Sequence, residues 1–392
     1  MRLKSFTING NGYKNLNDTF SFDNNSGYIA LIGLNGSGKS NLLEAISIIF
    51  NSLINNNGAG VPFDYTIEFE IDGDTYIRGN KVSKKNGVRF KANEMPLPSP
   101  VIACYSGEDR RLWTLAYEDY FLSYFNKAVK SSQYTPSLLY IDRSCWKIAF
   151  LSLVCSKDAT ISSFLRSTFN IDTPIDVDVN FTVNIRKKAA FKKHPALSWF
   201  ERIYSVGSAK ISGNLISSTD IVLSGKVIPD EQKAKYIFHY LYLLSQPEKR
   251  KKNKIERLIN DIEIDVKGID FNDLSEGQKK LILIECITKV LGDKNSLVLV
   301  DEPDAHTHIS MKKDLLKLIS EYEGQTIMTT HSPMFLNKRL DGFDENNIFY
   351  MHDGKIESTE PLKHLADLTD NEIDYFEGSF IRKHPVNHVF SA

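Results

Sequence analysis

The sequence of 392 residues lacks the features that mark several protein classes. Its four cysteines (Cys104, Cys145, Cys155 and Cys286) include no C-x-x-C pair, which argues against a zinc site or a disulfide framework and favours a reducing compartment. No apolar run approaches the ~20 residues of a membrane span, and the first residues form no apolar signal core. The net charge is −1, so no global basic field indicates nucleic acid. We therefore expect a cytoplasmic protein with no membrane partner.

One stretch stands out against this background. Gly33–Ser40 reads GLNGSGKS and fits the phosphate-binding pattern G-x-x-x-x-G-K-[S/T]. The apolar run Tyr28–Ile32 before it predicts a buried strand, and apolar residues at helical spacing follow it in Asn41–Phe50. This strand–loop–helix context is what the motif requires. A glycine-rich turn that binds nothing is the alternative, and both the motif and its flanks disfavour it.

The loop predicts a site for ATP and Mg²⁺. Backbone amides around Asn35, Gly36 and Gly38 can wrap the phosphates, and the start of the following helix adds a favourable dipole. Lys39 is expected to reach the β- and γ-phosphates, and the Ser40 hydroxyl is expected to bind Mg²⁺.

A second anion-binding turn is predicted at Ser275, Gly277 and Gln278, where an apolar-periodic helix begins. A small hydroxyl and a glycine at a helix N-terminus form such a site. One chain does not need two sites for one γ-phosphate, so we expect two copies head to tail, each offering this turn to the other's ATP. Taken alone, the same residues are often only a helix cap, with Ser275 capping and Gln278 as its partner.

Two later strands are predicted to end in polar residues. The apolar run Ser296–Val300 leads into Asp301 and Glu302, where Asp301 is expected to hold Mg²⁺ and Glu302 to orient or deprotonate the attacking water. Thr326–Thr330 leads into His331, which is expected to contact the γ-phosphate and position that water. Each feature alone is common as a loop cap or a structural histidine, but their order and spacing argue against coincidence.

The remaining patterns predict an α/β fold, in which a mixed sheet is flanked by helices and accompanied by an antiparallel β-subdomain. Asp72-Gly73 and Asn86-Gly87 are hairpin signals in that subdomain. Residues of about 114–264 read as a mainly helical insertion. The expected domains are a first lobe of the nucleotide-binding core at 1–113, the inserted lid or partner domain at 114–264, and a second lobe at 265–392.

The motifs GLNGSGKS, LSEGQ, LVLVDEP and TTHSP in this order resemble the ATP-binding-cassette (ABC) superfamily, and the first resembles its soluble branch of SMC-like, RecF-like and OLD-like ATPases. Tyr105–Glu108 together with Asp301–Pro303 resembles the ATPase subunits of the bacterial anti-phage systems PARIS and Septu. The resemblance implies an ABC-type P-loop ATPase core and ATP-driven dimerisation. It also implies that Ser275 and Gly277 of one copy close on the γ-phosphate held by the other.

The sequence departs from the transporter and SMC pattern in one respect. Those cassettes carry a glutamine near Mg²⁺ in the first lobe, whereas no glutamine precedes Gln133 here. Ser106 and Glu108, which follow a predicted strand over 101–105, are the candidates for its place.

Three functions fit these observations. The first is an ATPase switch of anti-phage defence, whose homodimer or larger homo-oligomer responds to a trigger such as a phage protein and controls a separate effector, a nuclease. The second is a RecF- or SMC-like ATPase of DNA repair that binds DNA through the basic clusters 186–188, 192–193 and 249–254. The third, the ATPase subunit of a membrane transporter, is disfavoured by the long insertion and the missing glutamine.

Overall fold

The computed structural model describes residues 1–10, 12–22, 27–55, 60–105, 111–128, 135–172, 174–204, 210–245, 250–251, 254–255, 257–305, 307–336, 342, 344–357 and 368. Strands within these residues are Arg2–Asn9 (β1), Thr19–Ser21 (β2), Tyr28–Ile32 (β3), Asp64–Ile71 (β4), Asp74–Gly79 (β5), Ser83–Lys85 (β6), Val88–Arg89 (β7), Val101–Tyr105 (β8), Leu138–Ile141 (β9), Val177–Val183 (β10), Ile211–Ser212 (β11), Val222–Leu223 (β12), Lys226–Val227 (β13), Arg250–Lys251 (β14), Lys254–Ile255 (β15), Ile259–Val266 (β16), Ile269–Asp270 (β17), Leu297–Asp301 (β18), Gln325–Thr330 (β19), Ile348–His352 (β20) and Lys355–Glu357 (β21). The α-helices are Lys39–Asn55 (α1), Glu118–Ala128 (α2), Trp146–Val154 (α3), Ala159–Phe169 (α4), Pro195–Ile203 (α5), Gly213–Ser218 (α6), Asp230–Ser245 (α7), Glu276–Cys286 (α8) and Ile309–Ser320 (α9).

The chain divides into two compact units. Unit 1 comprises 1–117, 137–140 and 292–392, and unit 2 comprises 118–136 and 141–291. The structure therefore places residues 265–291, which the sequence assigned to the nucleotide-binding core, with the middle of the chain. The physical reason is that α8 packs against α3 and buries a long apolar face within unit 2.

Unit 1 is organised by a seven-stranded sheet with the order β21-β20-β3-β19-β18-β8-β9. Successive pairs from β20 through β3, β19 and β18 to β8 are parallel, and β21 pairs antiparallel with β20. The strands β3, β18 and β19 are buried along their whole length, which explains their near-continuous apolar sequences. Because these strands are parallel, their carboxyl ends at Ile32, Asp301 and Thr330 meet at one edge of the sheet.

Unit 1 also contains the expected antiparallel sheet, with the order β2-β1-β4-β5-β6-β7. Buried and more exposed residues alternate along β4, and the buried ones are the apolar or aromatic residues. One face of the strand is therefore covered, and the other faces solvent. The two predicted hairpin turns are present, and both residues of Asp72-Gly73 and of Asn86-Gly87 have positive φ. That conformation matches the strand twist in two-residue turns.

Unit 2 combines helices α2–α8 with a four-stranded antiparallel sheet of order β11-β10-β16-β17. The sequence predicted a mainly helical insertion here, but it did not identify β16. Val177 of β10 pairs with Val266 of β16, and a partner so distant in sequence leaves no local turn signal.

No single helix among the described residues is long and apolar enough to span a bilayer. Two consecutive helical segments, 143–154 and 159–169, are long and apolar enough only when they are taken together. The bend between them is 119°.

Candidate nucleotide-binding site

The phosphate-binding loop of unit 1 has the backbone that its glycines allow. It leaves β3 at Ile32 and enters α1 at Lys39, as the sequence predicted. Gly36 and Gly38 have φ values of +81° and +107°, which side-chain-bearing residues rarely adopt. A Cβ on Gly36 would meet no atom of a described residue within 4 Å, so its backbone conformation is what favours glycine here. The first amides of α1 have no intrahelical acceptors, and the turn therefore forms an anion cradle.

Two neighbouring segments brace this loop, and the sequence did not identify either of them. Asn15 Nδ2 donates a hydrogen bond to the Gly36 carbonyl at 3.1 Å, and Asn41 Nδ2 donates to Asn15 Oδ1 at 2.8 Å. On another side, the amide of Gly354 donates to the Ser37 carbonyl at 2.8 Å. The loop is thus held by contacts that join residues far apart in the chain.

Lys39 is buried, with 4% of its surface exposed. Its Nζ donates to the carbonyls of Gly33 and Leu34 at 2.7 and 3.0 Å. Burial lowers the pKa of Lys39 to about 8, although the charges of Glu302 and Asp301 oppose that shift. The ammonium group therefore contacts only neutral carbonyl oxygens of the loop in these two hydrogen bonds. A bound phosphate would offer it a full negative charge.

Asp301 accepts two hydrogen bonds at the carboxyl end of β18. Ser40 Oγ donates to Asp301 Oδ1 at 2.9 Å, and Thr329 Oγ1 donates to the same oxygen at 2.8 Å. Desolvation raises the pKa of Asp301, while these two hydrogen bonds act in the opposite direction. The structure thus brings together the two residues predicted to hold Mg²⁺.

Thr329 is a positioning residue that the sequence analysis missed. It is fully buried on β19, between β3 and β18. Besides donating to Asp301, its Oγ1 accepts a hydrogen bond from the amide of Glu302 at 2.9 Å. The motif TTHSP contained the residue, but only the order of the strands shows that its hydroxyl faces both acidic residues.

Glu302 and His331 are in direct contact. His331 Nε2 lies 2.8 Å from Glu302 Oε1, and about a third of each side chain is exposed. Glu302 has a φ of +46°, the left-handed region that non-glycine residues seldom occupy. The backbone therefore leaves the strand conformation of β18 directly after Asp301.

Lys39 extends this contact into a chain of three residues. Its Nζ lies 3.4 Å from His331 Nδ1. A protonated Lys39 can only donate, so Nδ1 accepts and the proton of a neutral imidazole sits on Nε2, from which it is donated to Glu302. This tautomer is assigned from the neighbouring groups.

The residues at this edge fit ATP and Mg²⁺ chemically. Mg²⁺ prefers oxygen ligands and is usually held by one or two protein oxygens together with phosphates and water. Ser40 and Asp301 offer two such oxygens within one hydrogen bond of each other. The amides of the loop and Lys39 offer donors for a triphosphate. Among the described residues no group of three or more His, Cys, Asp and Glu side chains forms another metal site.

The segment after Asp301 and Glu302 is fixed to the end of β19. Asp304 is buried and forms an ion pair with Lys312 at 3.4 Å. Lys312 Nζ also donates to Ser332 Oγ at 3.1 Å. These contacts hold the residues that follow Glu302 close to those that follow His331.

The second predicted anion site lies in unit 2. Ser275 Oγ accepts a hydrogen bond from the Gln278 amide at 3.2 Å, and Gln278 Oε1 accepts one from the Ser275 amide at 3.0 Å. The capping box that formed the alternative interpretation is therefore present. Ser275 is nevertheless exposed and Gly277 buried, so the N-terminus of α8 remains open to solvent at the serine. The role of Ser275, Gly277 and Gln278 towards a nucleotide stays a prediction.

Two further predictions concern other parts of the chain. Ser106 and Glu108, the candidates for the missing glutamine, lie outside the described residues. Of the basic clusters, 186–188 is partly neutralised because Lys188 pairs with Glu201 at 3.0 Å. Half of the cluster at 249–254, namely residues 249, 252 and 253, lies outside the described residues.

Two family models match the chain. One, described as an AAA ATPase domain, matches residues 167–336. The other, described as an AAA domain, putative AbiEii toxin, Type IV TA system, matches residues 29–103. No curated protein matches the chain significantly. The chain therefore contains sequence of the AAA ATPase type, and the match over 29–103 includes the phosphate-binding loop.

Several solved structures are similar to the chain over most of its length. The recombination mediator protein RecF with ATP is 18% identical, with 91% of this chain and 98% of that one covered at a TM-score of 0.39. The SMC head domain from Thermotoga maritima is 16% identical, with coverage of 92% and 100% and a TM-score of 0.36. An ATP-binding cassette of an ABC transporter in its ADP conformation is 13% identical, with coverage of 98% and 95% and a TM-score of 0.32. The α/β class of the prediction, with a mixed sheet, helices and an accompanying antiparallel sheet, is confirmed by the strands and helices of the chain itself.

Proposed function

We propose that this protein is an ATP-binding and ATP-hydrolysing switch of anti-phage defence, whose ATP-dependent assembly controls a separate effector, a nuclease. The observation that carries the ATPase part is the convergence of Lys39, Ser40, Asp301, Glu302 and His331 at one edge of the sheet. The family description that names a putative AbiEii toxin supports the defence part.

In the proposed reaction, Ser40 and Asp301 would hold Mg²⁺, which would supply positive charge to the phosphates, and Lys39 exchanges the Gly33 and Leu34 carbonyls for phosphate oxygens. Glu302 orients a water molecule, whose oxygen forms a bond to the γ-phosphorus while the bond from that phosphorus to the β-bridging oxygen breaks. The proton of the water passes to the Glu302 carboxylate. His331 holds Glu302 before nucleotide binds and then contacts the γ-phosphate.

The proposed assembly is a head-to-tail homodimer or a larger homo-oligomer. The exposed Ser275 at the start of α8 supports it, because a hydroxyl at an open helix N-terminus suits the γ-phosphate of a neighbouring copy. In this arrangement each ATP is completed by residues of two chains, so hydrolysis opens the interface. A trigger such as a phage protein then acts by changing the stability of that interface and so the release of the effector.

A complementation experiment tests the composite site. Lys39→Ala removes phosphate binding by the loop but leaves Ser275 intact. Ser275→Arg blocks the turn that one copy offers to its neighbour's ATP but leaves its own loop intact. Each variant alone should be inactive. An equimolar mixture should recover about a quarter of wild-type turnover per chain, because half of the dimers then carry one intact site out of two.

The matched control is a mixture of Lys39→Ala with Glu302→Gln. Glu302 belongs to the same unit as the loop, so neither composite site in that mixture is intact and no turnover should return. Full activity of Ser275→Arg alone, or an unchanged specific activity of the wild type at extreme dilution, would refute the shared site.

A phage-challenge experiment tests the defence role. Cells carrying this gene with its neighbouring genes should resist phage, and resistance should be lost with Lys39→Ala or on deletion of a neighbouring nuclease gene. Unaltered phage sensitivity together with sensitivity to DNA-damaging agents in a deletion strain would favour a function in DNA repair instead.

A further inference from the structure

The antiparallel sheet of unit 1 carries a basic groove that the ATPase reaction does not use. Its volume is about 810 Å³, and its lining lies within residues 78–93, around the ends of β5, β6 and β7. Its lining residues, all of them described, include five cations and no carboxylate; the cations are Arg78, Lys81, Lys84, Arg89 and Lys91. We call this feature the hairpin groove.

Most of these cations lack a counter-charge. Lys91 pairs with Glu94 at 2.9 Å, but both side chains are largely exposed, so that pair is weak. Within the described residues, no ion pair involves Arg78, Lys81, Lys84 or Arg89. Elsewhere in the same hairpin the charges are matched, since Lys85 pairs with Asp74 at 2.6 Å. The hairpin groove therefore carries a surplus of positive charge.

Two of the cations are placed directly opposite each other. Lys84 of β6 and Arg89 of β7 are register partners across the Asn86-Gly87 turn, and both are exposed. Like charges in directly opposed positions of an antiparallel pair destabilise it. An anion bound between them would remove this repulsion, and a binding role gives a physical reason for the arrangement in a chain whose net charge is only −1.

The other lining groups suit a phosphodiester backbone better than a carboxylate-bearing peptide. The amides of Asn80 and Asn93 lie beside the cations, and asparagine together with arginine and lysine is a common source of contacts to phosphate and sugar. The partly exposed ring of Phe90 belongs to the lining as well. Aromatic side chains among cations provide a surface on which bases of a single strand can stack.

We propose that the hairpin groove binds the phosphate backbone of a nucleic acid. The proposal does not depend on the ATPase switch, and it differs from the expectation that the clusters at 186–188 and 192–193 would serve this purpose. The five cations lie close together in the sequence, within residues 78–91, and the pairing of β5, β6 and β7 places them around one groove.

The test measures binding of the full chain to fluorescently labelled probes of about 30 nucleotides, one duplex DNA and one single-stranded RNA, over a range of salt concentrations. Lys84→Glu combined with Arg89→Glu should weaken binding at least about tenfold and reduce the slope of log K against log salt by about 2. Equal losses for both probes would indicate that the shared backbone is recognised.

The matched control reverses two exposed lysines of the sequence-predicted cluster, Lys192→Glu with Lys193→Glu, which changes the net charge by the same amount. It should bind both probes like the wild type. Thermal unfolding and ATP binding should be unchanged in both double variants, since neither pair of residues belongs to the nucleotide site.

Three results would overturn the proposal. The first is that the groove variant binds nucleic acid as well as the control does. The second is that the wild type binds neither probe at low salt. The third is that polyglutamate competes as strongly per charge as the nucleic acid, which would indicate an acidic protein as the occupant.

Discussion

His331 Nε2 lies 2.8 Å from Glu302 Oε1, so the carboxylate proposed to orient the attacking water is held by the residue proposed to contact the γ-phosphate. Nδ1 of the same ring lies 3.4 Å from Lys39 Nζ. Three residues from three separate stretches of the chain thus form one line of polar contacts. An incoming triphosphate that attracts Lys39 and His331 would release Glu302 towards water, which couples the arrival of the nucleotide to the readiness of the base.

Replacing Glu302 by glutamine should separate ATP binding from hydrolysis. The amide keeps the size of the side chain and can still contact His331, but it cannot accept the proton of water. We expect ATP turnover to fall by about 10²–10⁴-fold, with ATP affinity nearly unchanged and the assembled form persisting on a sizing column. Glu323→Gln, an exposed glutamate on another loop, is the matched control and should hydrolyse ATP normally. Parental turnover in Glu302→Gln would show that another group is the base.

The lowered pKa of Lys39 predicts that ATP affinity depends on pH. In the free protein the ammonium loses its proton around a pKa of about 8, and only the charged form provides an ion pair to phosphate. From pH 7 to pH 9 the protonated fraction falls about tenfold, so the Kd for ATP should rise by about the same factor. Titration calorimetry in buffers of different ionisation enthalpy should also detect proton uptake on binding near pH 8.

Lys39→Arg serves as the control for this titration, because a guanidinium stays protonated throughout the range. Its affinity should be lower than that of the wild type but constant from pH 7 to pH 9. An equally steep fall in the arginine variant would assign the pH dependence to another group.

Removing the charge of Asp301 should stabilise the fold and destroy the metal site. Burial raises the pKa of Asp301, so the folded state holds the carboxyl proton more tightly than the unfolded chain does. Stability is therefore lost as pH rises through that window, and at neutral pH the ionised form costs free energy. Asp301→Asn should raise the free energy of unfolding without ligand by about 1 kcal/mol, or Tm by about 2 °C.

The same variant should lose the extra thermal stability that ATP with Mg²⁺ gives to the wild type, because the amide is a poor magnesium ligand. Differential scanning calorimetry with and without nucleotide measures both effects. A lower Tm of Asp301→Asn in the absence of ligand would contradict the pKa argument, whatever its effect on Mg²⁺.

The hydroxyl of Thr329 should matter for both stability and turnover. Thr329→Val keeps the shape of the side chain but removes the donor to Asp301 and the acceptor for the Glu302 amide. We expect the free energy of unfolding to fall by about 1–3 kcal/mol and kcat to be reduced. Denaturant titration and steady-state kinetics measure the two effects.

Thr326 on the same strand provides the matched control for Thr329. It is equally buried, but its Oγ1 has no hydrogen-bond partner in the part of the chain that the structure describes. Thr326→Val should therefore be neutral or stabilising and leave kcat unchanged. Equal losses in the two variants would attribute the effect of Thr329→Val to packing instead of to its two hydrogen bonds.

Sequence reasoning succeeded where structure is local. The strand Tyr28–Ile32, the loop up to Ser40 and the helix after it follow from burial, from φ values that favour glycine, and from helical periodicity. It failed where a partner is distant. The strand β16, the bracing role of Asn15 and the double contact of Thr329 all depend on residues brought close only by folding.

The sequence by itself determined which functional groups are available for binding and catalysis. A lysine, a serine, two acidic residues and a histidine in fixed motifs restrict which ligands can bind. The tertiary structure decided how these groups meet. By placing β19 between β3 and β18, it brings Thr329 into contact with both acidic residues and His331 between Lys39 and Glu302. The hairpin groove depends on both, since the Asn86-Gly87 signal predicts the turn that sets Lys84 opposite Arg89, whereas the pairing of β5 with β6, which places Arg78 opposite Ser83, is decided by the folded sheet.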